Sequence, residues 1–135
     1  MPCRSTYCLL AVIPVALVVA ACGSNESTGF NPPPTVADIK IVLNASLKTT
    51  TAYNPNPFTV SLNGQPSVTV VWGNDDVAGA NGVSHTVTQD GNSPTFDSNG
   101  IDQGETFEHD FTAAGSYNYH CKFHQGMIGT VIVSP

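Results

Sequence analysis

The stretch "YHCKFHQGM", Tyr119 to Met127, holds Cys121, His124 and Met127, with His120 directly before the cysteine. Thiolate, imidazole and thioether are soft or borderline donors, suited to holding a metal. A thiol beside imidazole is also the makings of a reactive cysteine. Cys3, Cys8 and Cys22 lie in the first 22 residues, so Cys121 is the one cysteine of the remaining chain. An unpaired cysteine in an oxidising compartment is a liability unless something occupies it. Metal ligation is therefore favoured over free thiol chemistry.

The elements around the cluster sort its members. Strand alternation puts Tyr117, Tyr119 and Cys121 on one face and Asn118, His120 and Lys122 on the other. With the aromatic face inward, Cys121 points into the core and His120 points out. Gln125-Gly126 is turn chemistry and ends the strand. A tight loop there can bring His124 and Met127 back onto Cys121. The set lacks one ligand, which a second strand must supply. In "GVSHTVTQDG", His85 shares an apolar face with Val83 and Val87, so it is the remaining candidate. His109, in "ETFEHDF", reads as an exposed strand histidine.

Two imidazoles and a thiolate in a trigonal set, with a weak thioether on the axis, form the type 1 blue-copper site. Structural zinc sites use Cys and His and have little use for Met. The expected cofactor is thus one copper ion.

The surrounding pattern is short β-rich runs broken by turns. "ADIKIVLN", "FTVSLNG", "SVTVVW", "GVSHTVTQDG", "ETFEHDF", "SYNYHC" and "MIGTVIV" read as strands. No segment after the N-terminal apolar run has a sustained helical period. The expected fold is all-β, a Greek-key sandwich or barrel of seven to eight strands.

With these residues in view, the chain resembles the cupredoxins of the plastocyanin and amicyanin group. "YNYHCKFHQGMIGTVIV" and "SHTVTQDG" carry the resemblance, which runs from about Ala37 to Val133. The Cys121, His124 and Met127 spacing is similar to amicyanin's short ligand loop. The resemblance implies a cupredoxin-like fold with His85, Cys121, His124 and Met127 as copper ligands. It further implies that His124 is the ligand through which electrons pass. Two positions depart from the group. Thr86 stands where an asparagine links the two ligand loops, and Phe123 stands where the group has proline. Unlike proline, Phe123 keeps a backbone N–H, which could donate to the Cys121 sulfur.

The N-terminus reads as a bacterial lipoprotein leader. Arg4 precedes an apolar run from Leu9 to Ala21, too short for a bilayer that needs about 20 residues. It ends in Val19-Ala20-Ala21-Cys22, a lipobox-like sequence. The expected organisation is a signal peptide over 1–21, a lipid-anchored linker over 22–35 beginning at Cys22, and the cupredoxin domain over 36–135. The linker, "GSNESTGFNPPPT" after Cys22, is too polar and proline-rich to fold. The expected location is the periplasm or cell exterior, on a membrane.

The whole chain has 4 basic and 10 acidic residues and a formal charge of −6. That balance disfavours nucleic acid. Asp75, Asp76, Asp90, Asp97, Asp102 and Glu105 could steer a basic redox partner, such as a cytochrome, toward a monomeric carrier. Docking is expected on the apolar surface of Phe123, His124, Gln125 and Gly126. The expected function is one-electron transfer between redox partners through Cu(II)/Cu(I), without catalysis. With only four histidines the chain cannot build the trinuclear cluster of a multicopper oxidase, and Cys121 has no second cysteine for a binuclear centre. Copper storage or delivery is the alternative.

Overall fold

The computed structural model describes residues 36–79, 82–93 and 95–135. The signal peptide, the linker and Cys22 lie outside the described residues.

Among the described residues, eight strands form two four-stranded sheets. They are β1 (Ile39–Ile41), β2 (Tyr53–Asn54), β3 (Phe58–Ser61), β4 (Val68–Asn74), β5 (Thr88–Gln89), β6 (Thr106–Phe111), β7 (Gly115–His120) and β8 (Ile128–Ser134). One sheet has the order β2-β1-β4-β6 and the other β3-β8-β7-β5. β1 runs parallel to β4, and β3 parallel to β8; the remaining pairs are antiparallel. The all-β expectation holds, with eight strands. Among the described residues a 3-10 turn, Ala45–Leu47, interrupts the β pattern between β1 and β2.

The inward faces explain the strands. Val70 and Trp72 of β4, Ile39 and Ile41 of β1, Tyr119 of β7, and Val131 and Val133 of β8 are buried. β-Branched and aromatic residues suit such a half-covered pleated surface. Trp72 meets Tyr119 edge-on at 5.7 Å between ring centroids, and Tyr119 meets Tyr53 edge-on at 4.8 Å. These edge-to-face pairs add about 0.5–1.5 kcal/mol each beyond area burial. Opposite Tyr119 in the β7–β8 register sits Gly129, and a Cβ there would lie 2.3 Å from the tyrosine ring. Glycine is what lets the ring lie flat across β8.

Two expectations fail in local detail. The segment around His85 is not a regular strand: only Thr88–Gln89 pairs continuously, and His85 makes an isolated bridge to Ile101. Its amides turn elsewhere. Thr86 N–H donates to Cys121 Sγ at 3.3 Å, and Val87 N–H donates to Ser98 Oγ at 2.8 Å. Both sides of the segment are consequently covered, and Thr86 is as buried as His85. The second failure is His109. It shares the inward face of β6 with Phe107 and Phe111, since residues two apart in a strand point the same way. It packs at 4.7 Å from the Phe96 ring and 4.8 Å from Phe111.

Candidate metal centre

β7 delivers Cys121 at its end, inward and buried, and leaves His120 half-exposed on the opposite face. His120 bonds Asp90 through Nδ1 at 2.6 Å and takes no part in the cluster. Beyond Cys121 the chain folds into a closed loop. Cys121 N–H donates to the Met127 carbonyl at 3.0 Å, and Met127 N–H donates to the His124 carbonyl at 3.3 Å. Gly126 adopts φ +83, a left-handed conformation that glycine enters without Cβ strain. The turn returns Met127 to the core beside Cys121, with 1% of its surface exposed.

His85 arrives from the other sheet-connecting segment. Its Nδ1 is 3.9 Å from Cys121 Sγ, and His124 Nδ1 is 3.5 Å from the same sulfur. The ligand atoms of His85, Cys121 and His124 all lie within 4.8 Å of one another. Metal–nitrogen and metal–sulfur bonds are about 2.0 and 2.3 Å. In a trigonal plane those lengths separate nitrogen from sulfur by about 3.7 Å. The observed spacings bracket that value, so one small ion fits between the three donors. The donor set, two imidazoles and a thiolate, suits copper.

The electrostatics favour a thiolate. Burial pushes the Cys121 thiol up, but His85, the Thr86 and Phe123 amides and His124 outweigh it and bring the pKa down to about 6. A metal binding at neutral pH therefore displaces little thiol proton. The Phe123 amide lowers it by less than Thr86, whose N–H is the amide in hydrogen-bond contact with the sulfur among the described residues. His85 is raised: burial pulls it down, and its contacts with Cys121 and Asp76 push it further up.

Thr86 occupies the position expected to link the loops, and it does so with a hydroxyl. Lys122 N–H donates to Thr86 Oγ1 at 2.8 Å, while the Thr86 amide holds the sulfur. The Thr88 hydroxyl also lies 3.2 Å from Thr86 Oγ1. One residue thus ties the His85 segment to the Cys121 loop at two points.

Asp76 is the residue that sequence reading misplaced. It is not a surface charge: it is fully buried, and its Oδ2 is 3.0 Å from His85 Nε2. Of the other acids expected to steer a partner, Asp75 pairs with Lys40 at 2.9 Å and Asp97 pairs with Lys122. The signal available for Asp76 was the need of a ligand histidine for a partner on its second nitrogen. Asn74, also fully buried, was missed as well; its side chain bonds the carbonyls of Val83 and Ile101.

Residues 40–134 match the family model of copper-binding proteins of the plastocyanin/azurin type. The chain belongs to this cupredoxin family. Among solved structures it is similar to a purple cupredoxin from Nitrosopumilus maritimus, with 30% identity over 73% of this chain and all of that one, at a TM-score of 0.60. It is also similar in fold to amicyanins. A reduced copper(I) amicyanin variant has 21% identity over 77% of this chain and 87% of its own, at TM-score 0.56. Another, with copper(I), has 24% identity over 74% and 87%, at TM-score 0.54. No curated protein sequence matches the chain. As a cupredoxin it is a copper-binding protein, and His85, Cys121 and His124 form its possible copper site.

The loop that closes this centre presents Phe123 at the surface. Phe123 is 56% exposed, Gln125 and Gly126 are exposed, and His124 is half-buried. Leu43, Leu47 and Val77 are exposed on the loops that meet at Asp76. These three were not foreseen.

Proposed function

We propose that this cupredoxin is a type 1 copper electron carrier, passing one electron between redox partners through Cu(II)/Cu(I), with no catalytic role. The reading is carried by one observation: a ready-spaced His85, Cys121 and His124 set, whose sulfur already accepts the Thr86 amide. Copper bound there supplies a one-electron couple. The protein holds its donors in place across both oxidation states, so little rearrangement accompanies transfer. Met127, buried against the loop, would hold copper weakly through its thioether and help set the potential. His124, half-buried at the edge of the site, is the port, and Phe123, Gln125 and Gly126 form the apolar docking surface around it. The domain works as a monomer. Cys22 anchors it by lipid to a bacterial membrane, with the domain in the periplasm or on the cell exterior.

Copper reconstitution tests this. Copper(II) should give an intense blue or purple charge-transfer band, a narrow-hyperfine spin-resonance signal and reversible voltammetry. A site that takes copper(I) and resists oxidation would make the protein a storage or delivery protein. A partner reaction whose rate is flat across ionic strength would exclude acidic steering of a basic partner.

A further inference from the structure

Asp76 has no exposed surface, yet it carries a carboxylate. Its Oδ1 accepts the amides of Asn44 at 2.9 Å and Ala78 at 3.1 Å. Its Oδ2 accepts the Ala45 amide at 3.0 Å and faces His85 Nε2 at 3.0 Å. Three backbone amides donate to its two oxygens and the His85 nitrogen faces one of them, an environment that favours the ionised form. Three of these partners are neutral backbone amides, and the fourth is the His85 ring. Lys40 and Lys122, the basic side chains that form ion pairs in the described structure, are engaged by Asp75 and Asp97. A buried charge is normally paired or coordinates a metal. Across the His85 ring from Asp76 lies the three-donor site.

Asn74 sets this carboxylate in place. Its Oδ1 accepts the Asp76 amide at 3.0 Å, and its Nδ2 donates to Val83 at 2.7 Å and Ile101 at 2.8 Å. Ile101 in turn exchanges backbone bonds with His85, whose amide donates to it at 3.1 Å. The loop carrying the carboxylate and the segment carrying the ligand are thus locked together.

We propose that Asp76 is a positioning residue of the copper centre: it fixes His85 with its proton on Nε2 and its Nδ1 lone pair toward the metal, and its buried negative charge biases the bound copper toward Cu(II). The proposal rests on the copper-carrier reading above. A second-sphere carboxylate makes the ligand imidazole a stronger donor. It also places one negative charge where it stabilises the more positive metal ion. Removing that charge should raise the reduction potential.

The test has two arms. In the metal-free protein, nitrogen-15 NMR of the histidine ring, recorded at a pH high enough that the ring is neutral, should show the His85 proton on Nε2. A ring protonated on Nδ1 alone overturns the orienting half. In the second arm, Cu(I) and Cu(II) affinities of Asp76→Asn and Asp76→Glu are measured by chelator competition, using copper alone. Asp76→Asn should weaken copper binding by about 10–100-fold. The loss should fall mainly on Cu(II), changing the Cu(II)/Cu(I) affinity ratio at least about tenfold, equal to about 59 mV for a one-electron couple. Asp76→Glu should keep the wild-type ratio. Equal losses for both ions, or Asn and Glu shifting the ratio alike, overturn the charge argument and leave Asp76 a loop anchor. If Asp76→Asn does not fold, Asp76→Ser, which also removes the charge, carries the ratio measurement, and the wild-type NMR still decides the orienting half. A wild type that binds no copper overturns the carrier reading and the charge half together, while the tautomer arm still reads the orienting half.

Discussion

Replacing Thr86 by valine isolates the hydroxyl that ties the two ligand segments. Valine is close to threonine in shape, and the Thr86 backbone N–H to Cys121 Sγ bond at 3.3 Å needs no side chain. What disappears is the acceptor for Lys122 N–H, held at 2.8 Å in a half-buried position. The Thr88 hydroxyl keeps an alternative acceptor in Asp97 Oδ1 at 3.1 Å, so it loses little. The cost is therefore that of one buried donor left unsatisfied, about 1–3 kcal/mol. For a domain of this size 1 kcal/mol corresponds to about 4–8 °C. The melting temperature should fall by about 4–24 °C in the metal-free protein.

The same loosening should speed copper loss, because the Cys121 loop is no longer held to the His85 segment. The reduction potential should move little, since the amide to sulfur bond remains. The assays are thermal unfolding by near-ultraviolet circular dichroism and chelator-driven copper release. Thr86→Asn supplies a control: an amide oxygen can accept the Lys122 N–H, so stability should stay near that of the wild type. A Thr86→Val protein that melts and releases copper like the wild type would refute the argument that the hydroxyl links the loops.

Phe123→Pro deletes one amide near the Cys121 sulfur; voltammetry should show a lower potential, and an unchanged or higher one would sink the idea that this N–H favours copper(I). Gly129→Val puts a side chain where a Cβ alone would lie 2.3 Å from the Tyr119 ring; overpacking of about 1–3 kcal/mol or more should appear as a lower denaturant midpoint, and an unchanged midpoint would mean the ring relocates freely. Burial lowers the pKa of His109 from 6.5, with Asp110 partly opposing it. The unfolded chain therefore binds a proton that the folded chain resists, so stability is full above about pH 6.5 and declines as pH falls below it; His109→Phe should flatten that decline, and an unaltered pH profile would show that His109 is not its source.

Much of the site was legible because its chemistry is local. Cys121, His124 and Met127 sit within one loop, and the inward face of β7 follows from Tyr117 and Tyr119. His85 was reachable because a metal needs a further ligand and the chain has few histidines to offer. The legibility ended where backbone hydrogen bonding stopped following the strand period. Around His85 the alternation of Val83, His85 and Val87 suggested a strand, but the Thr86 amide is spent on sulfur and the ladder never forms. Alternation then loses its meaning, and Thr86 becomes buried beside the ligand it was expected to face away from.

Asp76 shows the limit more sharply. "WGNDDV" has the composition of an exposed turn, and its two aspartates are indistinguishable in sequence. The structure separates them completely: Asp75 pairs with Lys40 at the surface, while Asp76 is buried against His85. The difference arises from contacts made by Asn44 and Ala45, some thirty residues earlier, which offer the amides that make burial of a carboxylate tolerable. No periodicity encodes such a contact. It follows from the convergence of the 3-10 turn, the β4 exit and the His85 segment at one end of the sandwich. A ligand histidine with one nitrogen committed to metal demands a partner for the other. The search for that partner leads from His85 to Asp76, a residue that no strand period points to.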